Sequence, residues 1–315
     1  VYRRQRQMCI RDRPMLVAQI LSLLYNIVDR VYIARIPDVG TNALGAVGLC
    51  FPIIMIMTAF SNLFGSGGAP LFSIKRGMGD EKSANTIMNT SFTMLCGSAI
   101  ILMCICLLFA APLLTLFGAS DTALKYAYPY LCIYLIGTLP SMIATGMNPF
   151  INAQGYSTIG MLSVAIGAIA NLILDPVFIF VFNMGVQGAA LATVLSQAVG
   201  AVWILHFLTG DKTILRLRKC NLKLKSTIIM PCLALGISSF VMLSTESILS
   251  VSFTSSLSRY GGDLAVGAMT IITSTNQLVL MPLQGICQGG QPIMSYNYGA
   301  KNYDRVKRAF FTQFK

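Results

Sequence analysis

Asp29, Asp175 and Glu246 are carboxylates set inside long apolar stretches. An ionisable group at bilayer depth is costly, and it marks a functional position by default. Asp175 separates two runs free of Asp, Glu, Lys and Arg, 126–174 and 176–205. Asn171 lies four residues earlier, so on a helix the amide and the carboxyl share a face. A carboxylate beside an amide suits a proton or Na⁺, because hard cations prefer oxygen ligands. Pro176 follows at once; it frees carbonyls one turn back and invites a kink. The competing structural reading of Asp175 is a mouth-facing cap on the helix end. Asp29 reads either as a structural pair with Arg30 or Arg35, or as a site for a coupling ion or a cationic guest. Glu246 is the only deep acid of the later part of the chain, and its structural reading is a buried glutamate bonded to Ser244 or Thr245. Tyr25, Met55, Met57 and Tyr134 are candidates for the wall of a binding chamber, although apolar residues in a span more often face lipid or core.

The elements that position these groups follow from the charge pattern. Only 11% of the 315 residues are charged and 55% are hydrophobic, whereas soluble domains are about 25% charged. The runs 39–74, 83–120, 126–174, 176–205 and 264–300 carry no Asp, Glu, Lys or Arg. A membrane-crossing helix needs roughly 20 mostly apolar residues, and helices satisfy their own backbone in lipid. The alternation expected of barrel strands is absent. Eight spans are expected, near 14–35, 45–70, 89–112, 126–147, 158–182, 187–209, 227–252 and 264–288. Fourteen basic residues follow the second, sixth and eighth spans, against three (Arg35, Lys125 and Arg259) on the other side. Basic loops stay cytoplasmic, so the even-numbered loops and the N-terminus are expected there. The net charge of +12 is explained by those loops and does not call for a nucleic-acid partner. The nine cysteines are scattered, mostly in apolar segments, with no CxxC pair, and they read as small apolar residues. No phosphate-binding GxxxxGK[ST] loop and no nucleophile–base–acid set is present, so neither ATP nor enzymatic chemistry is expected, and no cofactor beyond H⁺ or Na⁺.

A repeat organises the spans. Shifting 40–77 by 222 residues onto 262–299 gives nine identities, among them Gly67, Gly68, Pro70, Ser73 and Gly77 against Gly289, Gly290, Pro292, Ser295 and Gly299. The shift joins the second span to the eighth, so both copies have the same orientation, as in parallel repeats about an axis along the membrane normal. The fold class is therefore an all-α polytopic membrane protein: one complete six-helix lobe plus the first two helices of a parallel-repeated second lobe. The expected division is a first lobe over 14–209, a basic cytoplasmic linker over 210–226, and the start of a second lobe over 227–315. Two such lobes around a cleft are an alternating-access design, and an intact protein near 440 residues is expected. Residues 1–13 do not fit this scheme. Met8-Cys9-Ile10-Arg11-Asp12-Arg13 reads as the translation of a common sequencing adaptor, which predicts a non-native leader.

The chain resembles the multidrug and toxic compound extrusion (MATE) family from Pro14 onward. The resemblance rests on Leu24-Tyr25-Asn26-Ile27-Val28-Asp29, Ala46-Val47-Gly48 with Phe51-Pro52, Gly67-Gly68-Ala69-Pro70, Asn152-Ala153-Gln154-Gly155, Asn171-Leu172-Ile173-Leu174-Asp175-Pro176, Gly188-Ala189-Ala190-Leu191-Ala192-Thr193 and Gln288-Gly289-Gly290-Gln291-Pro292. It departs from the family by stopping after the eighth helix. It implies twelve helices in two lobes and export of drug-like organic cations against inward flow of H⁺ or Na⁺, by a monomer. It further implies that Asp29, Asn171, Asp175 and Thr193 form a first-lobe cation site, and that Glu246 stands where a second-lobe acid is often found. Neutralising Asp29 and Asp175 would then lower affinity for a cationic guest, directly or by bending the first helix. A unit charge in a partly dry cavity is worth about 4 kcal/mol at an effective dielectric near 20. The runner-up function on the same architecture is a flippase for a lipid-linked precursor, whose cavity would be strongly basic.

Overall fold

The computed structural model describes residues 2–36, 40–117, 121–217 and 226–314; side chains are described from Pro14 onward, with gaps at 40–44, 121–122, 226, 314 and over much of 254–278. All regular structure among these residues is helical. Helix α1 (Tyr2–Ala34) runs on through the expected leader without a break, and is followed by α2 (Gly40–Gly77), α3 (Glu81–Leu108) and the short α4 (Ala110–Leu116). Next come α5 (Asp121–Ile136), α6 (Thr138–Ala153), α7 (Ser157–Pro176), α8 (Gly185–Thr209), α9 (Ser226–Gly299) and α10 (Tyr303–Phe314). Among the described residues, six helical segments are long and apolar enough to cross a membrane, seven when α5 and α6 count as one bent span. Side chains such as Ile101, Leu108, Ile173 and Val202 point outward, as apolar residues do when the surrounding medium is lipid.

Two expected elements take a different form. The fourth span is not one rod: α5 and α6 meet at 56°. Gly137 sits at the break, packed on Val194 where no β-carbon would fit. Pro140 then removes an N–H from the first turn of α6, so the ladder cannot run straight through. The seventh and eighth spans are joined without a helix break, as α9. A straight rod would put Gly236 and Gly299 about 95 Å apart, yet Leu63 and Ile74, which they touch, are about 17 Å apart along α2. The chain therefore folds back within α9. Its first arm lies against α2, with Ser247 Oγ donating to the Pro52 carbonyl at 3.3 Å and Gly67 meeting Cys232 and Gly236. Its second arm lies against α1, with Gly285 on Met15 and Leu16.

These contacts obey the shift of 222. Gly77 abuts the Tyr296 carbonyl and Gly299 abuts the Ile74 carbonyl; each contact maps onto the other. Contacts of this reciprocal kind mark a two-fold relation, here between the lobes at the end of the bundle bearing Lys75 and Arg76. The turns that follow are also copies. Met78, Gly79 and Asp80 donate to Ile74, Arg76 and Lys75, each at 3.0 Å; Ala300, Lys301 and Asn302 donate to Tyr296, Tyr298 and Asn297 at 3.0, 3.0 and 2.9 Å. Gly79 and Lys301 both have positive φ, 79° and 57°. This is the Schellman arrangement, a left-handed residue closing a helix. Helix α10 thus begins where α3 begins in the first lobe.

Two apolar cores hold the first lobe. One, near the basic end, is built on Phe72, Met88, Leu95, Met147, Phe150 and Leu208, with Phe72 edge-on to Phe150 at 5.7 Å. The other, toward the opposite end, holds Ile33, Cys50, Ile53, Leu131, Leu135 and Ile179. Met57 belongs to this second core, with its sulfur 3.5 Å from Thr138 Oγ1. Cys50, Cys106 and Cys232 are buried as free thiols. After α8 the chain is clasped to the lobe by Gln154, whose Oε1 accepts from Thr213 Oγ1 (2.7 Å), Ile214 N (3.0 Å) and Leu215 N (3.1 Å). The basic stretch 218–225 of the expected linker lies outside the described residues.

Candidate functional site

The apolar face of α1 packs on α7 and brings Asp29 to Asp175 within hydrogen-bonding reach. Helix α7 ends at Pro176, whose missing N–H breaks the α ladder, and a π-helical turn follows over Val177–Val181. π turns of this kind are frequent at functional sites. Asp175 is fully buried and Asn171 nearly so. Asn171 Nδ2 donates to Asp175 Oδ1 at 3.2 Å and lies 3.4 Å from Thr193 Oγ1 on α8. One oxygen of each acid, Asp29 Oδ1 and Asp175 Oδ2, is buried without a donor from elsewhere among the described residues. Buried polar atoms in this condition call for an explanation. A single proton held between the two carboxyl groups satisfies both. The four first-lobe residues expected to act together, Asp29, Asn171, Asp175 and Thr193, are thus neighbours. The cap reading of Asp175 fails, because its carboxyl is enclosed rather than mouth-facing.

Beside this pair lies a cavity of about 460 Å³. Tyr25, Met55 and Tyr134 line it, and so do Asn171 and Thr193. Tyr134 is stacked on the buried Tyr130 at 6.3 Å. Asp29 and Asp175 do not line the cavity: they stand behind Asn171 and Thr193. The expectation that the acids face a guest directly is corrected to this extent, since α7 turns its amide, one helical turn earlier, toward the open space. Met57 is withdrawn from the wall into the core. Glu246 is exposed on the first arm of α9 and is not among the lining residues, so the structure does not bring it to the chamber.

Sequence reasoning missed most of the chamber's polar lining. Asn148 donates from Nδ2 to the Gly160 carbonyl (2.9 Å) and Ser163 Oγ (2.8 Å) and accepts from Asn152 Nδ2 at 2.9 Å. Across the chamber Gln19 Nε2 donates to Gln288 Oε1 at 3.2 Å. The available signal was amide side chains at i, i+4 spacing, Asn148 and Asn152, inside a charge-free run. No group of three or more His, Cys, Asp or Glu that could hold a metal occurs among the described residues.

A multi-pass helical bundle with reciprocal lobe contacts and a buried acid pair behind a polar chamber is the build of a membrane transporter. The MatE family model matches residues 14–177 and 238–315, and the chain belongs to that family. It is 26% identical over 294 residues to the multidrug export protein MepA of Staphylococcus haemolyticus (strain JCSC1435) and 27% over 300 residues to that of Staphylococcus aureus (strain N315). Each match covers 93% of this chain and 64% of the relative, so the chain spans less than two thirds of their length. The solved structure of the MATE multidrug transporter DinF-BH in complex with R6G is 33% identical with a TM-score of 0.91, covering 98% of this chain and 69% of that one. These relatives are described as drug exporters and transporters, which does not favour the flippase alternative.

Proposed function

We propose that this chain forms the larger part of a secondary antiporter that exports drug-like organic cations in exchange for protons, by alternating access between two lobes. The observation that carries the reading is the Asp29–Asp175 pair, two facing carboxyl groups each left with a buried, donor-less oxygen. A proton is the smallest group that resolves this arrangement. With the pair ionised, negative charge behind the Asn171–Thr193 wall favours a cation in the chamber; with the pair protonated, that attraction is lost and the guest leaves. Such coupling needs only the roughly 1–3 kcal/mol typical of linked sites. The basic end of the bundle, closed by the Gly77–Tyr296 and Gly299–Ile74 contacts, faces the cytoplasm in this reading, which its lysines and arginines support. The membrane is the bacterial plasma membrane, and the transporter works as a monomer.

A second reading is Na⁺ coupling, favoured by the oxygens of Asp29, Asp175 and Thr193; it requires Asn171 to turn its carbonyl rather than its N–H toward Asp175. The full-length transporter in proteoliposomes tests both, with a fluorescent organic cation followed under an imposed pH or Na⁺ gradient. Export driven by the pH gradient, and lost in Asp29→Asn and Asp175→Asn, is the expected result. Undiminished gradient-driven export by both variants would eliminate the mechanism, and drive by Na⁺ alone would select the second reading.

A further inference from the structure

Arg30 is the only charged side chain among the described residues that line the chamber. It follows Asp29 on α1, but consecutive residues on a helix do not share a face. The acid therefore turns to α7 and the guanidinium turns to the cavity. Its carbon lies 5.9 Å from the centre of the Phe51 ring. A guanidinium resting on an aromatic face keeps its N–H edge free, and that edge matches a carboxylate with two parallel hydrogen bonds. Among the described residues the one salt bridge is Arg216–Asp211, far from this site. The other charged groups near Arg30 are few. Asp29 and Asp175 face each other behind the wall. Glu246 precedes Ser247, which binds the carbonyl of Pro52 next to Phe51, and Glu246 is exposed with no ion pair to Arg30. The charge of Arg30 is felt by Asp29, its neighbour along the helix, but no carboxylate stands among the described lining residues on its side of the wall, so a guest that brings a negative group meets a matching cation there.

We propose that Arg30 is a specificity-determining residue that receives an anionic group, such as a carboxylate, so that the preferred substrates are planar zwitterions rather than simple cations. The proposal rests on the export reading above and refines its substrate class. The guest's ammonium or amidinium end lies toward Asn171 and the acid pair, its ring system lies along Tyr25 and Tyr134, and its carboxylate reaches Arg30 over Phe51. The chamber then has two charged ends of opposite sign when the acid pair holds one proton, and a zwitterion answers both.

The test uses the purified full-length transporter and two xanthylium dyes, one with a free carboxylate and the other its methyl ester, with affinity read by fluorescence polarisation. The wild type should prefer the free acid. Arg30→Gln should weaken binding of the acid about tenfold, the value of one charge-assisted bidentate contact, and should strengthen binding of the cationic ester, so that the preference inverts. Arg30→Lys should recover part of the acid's affinity. Equal changes for both dyes, or none, would overturn the proposal. So would the same inversion in Glu246→Gln, because Arg30 would then serve as that residue's partner. Because binding is read without a gradient, loss of ion-driven export with the dye preference intact would count against the antiport reading alone.

Discussion

The two lobes share a scaffold and differ in charge. At the basic end, the exit of α2 and the exit of α9 are copies down to individual hydrogen bonds and the sign of φ at Gly79 and Lys301. At membrane depth the copies part: the first lobe encloses Asp29 and Asp175 together, while the acid of the second, Glu246, is exposed on a helix face outside the chamber. Among the described residues, the repeat therefore preserves what closes helices and lets them cross, while the facing acid pair belongs to the first lobe. The sharpest way to break this comparison is to exchange the acids one at a time in the full-length transporter. Asp175→Asn should abolish gradient-driven export. Glu246→Gln should lower it less than Asp175→Asn does, because Glu246 is not among the residues that line the chamber. Equal loss in both variants would mean that the lobes share the coupling chemistry after all.

The next largest effect concerns the scaffold they share. A β-carbon on Gly77 would run into the Tyr296 carbonyl, and one on Gly299 into the Ile74 carbonyl. Overpacking a close contact costs about 1–3 kcal/mol. Gly77→Leu and Gly299→Leu should each lower the thermal stability of the detergent-solubilised protein by similar amounts. The double variant should cost less than the sum, because both substitutions force apart the same crossing. Full additivity would show that the reciprocal contacts are independent and that the lobes do not meet there as one unit.

Much of this arrangement was legible in the residues. Charge-free runs of helical length located the spans, and the shift of 222 located the lobe equivalence, because Gly-Gly-x-Pro and the distant Gly77 mark backbone geometry that few other residues tolerate. Asn171 and Asp175 could be assigned to one face from spacing alone, and the joining of Asp29 and Thr193 to them rested on the family resemblance. What periodicity could not decide was which face of an apolar helix meets a cavity and which meets a core. Met55 and Met57 differ by two positions and have the same composition around them, yet one lines the chamber and the other is buried on Thr138. For the same reason the screening of the acids behind Asn171 was invisible, since their position depends on how α7 is rotated against α1. The bend at Gly137 depends on the approach of Val194, a contact between distant parts of the sequence. Gly261-Gly262 stands between the expected seventh and eighth spans and reads as a break, so the assignment of α9 as one helix through it could not be read from turn residues.

A smaller difference lies inside the shared turn. Gly79 adopts its positive φ without steric cost, whereas Lys301 carries a β-carbon at the same conformation, which costs L-residues roughly 1–2 kcal/mol. Lys301→Gly should therefore stabilise the protein by about 1 kcal/mol, and Gly79→Ala should destabilise it by a similar amount. The measurement is the midpoint of thermal unfolding for each variant. If both changes moved stability in the same direction, the two turns would not be conformational equivalents.

The smallest expected effect separates the turns by acid. Asp80 caps α3, its Oδ1 accepting from the Ser83 N–H at 3.0 Å. Hydrogen bonds from Ser83 hold the carboxyl below its ordinary value of 3.8. A carboxyl lowered in the folded state stabilises that state when ionised, so the contribution is whole above the ordinary value and is lost as pH falls through the folded one. Asn302 stands at the equivalent position before α10 and does not titrate. Hydrogen exchange at the first turn of α3 should therefore lose protection as pH falls below the ordinary carboxylate value, while the first turn of α10 keeps its own relative to the rest of the bundle. Asp80→Asn should remove the contrast, making the first-lobe turn behave like its copy. Parallel loss at both turns in the unmodified protein would trace the acid response to the bundle as a whole and leave the two caps energetically alike.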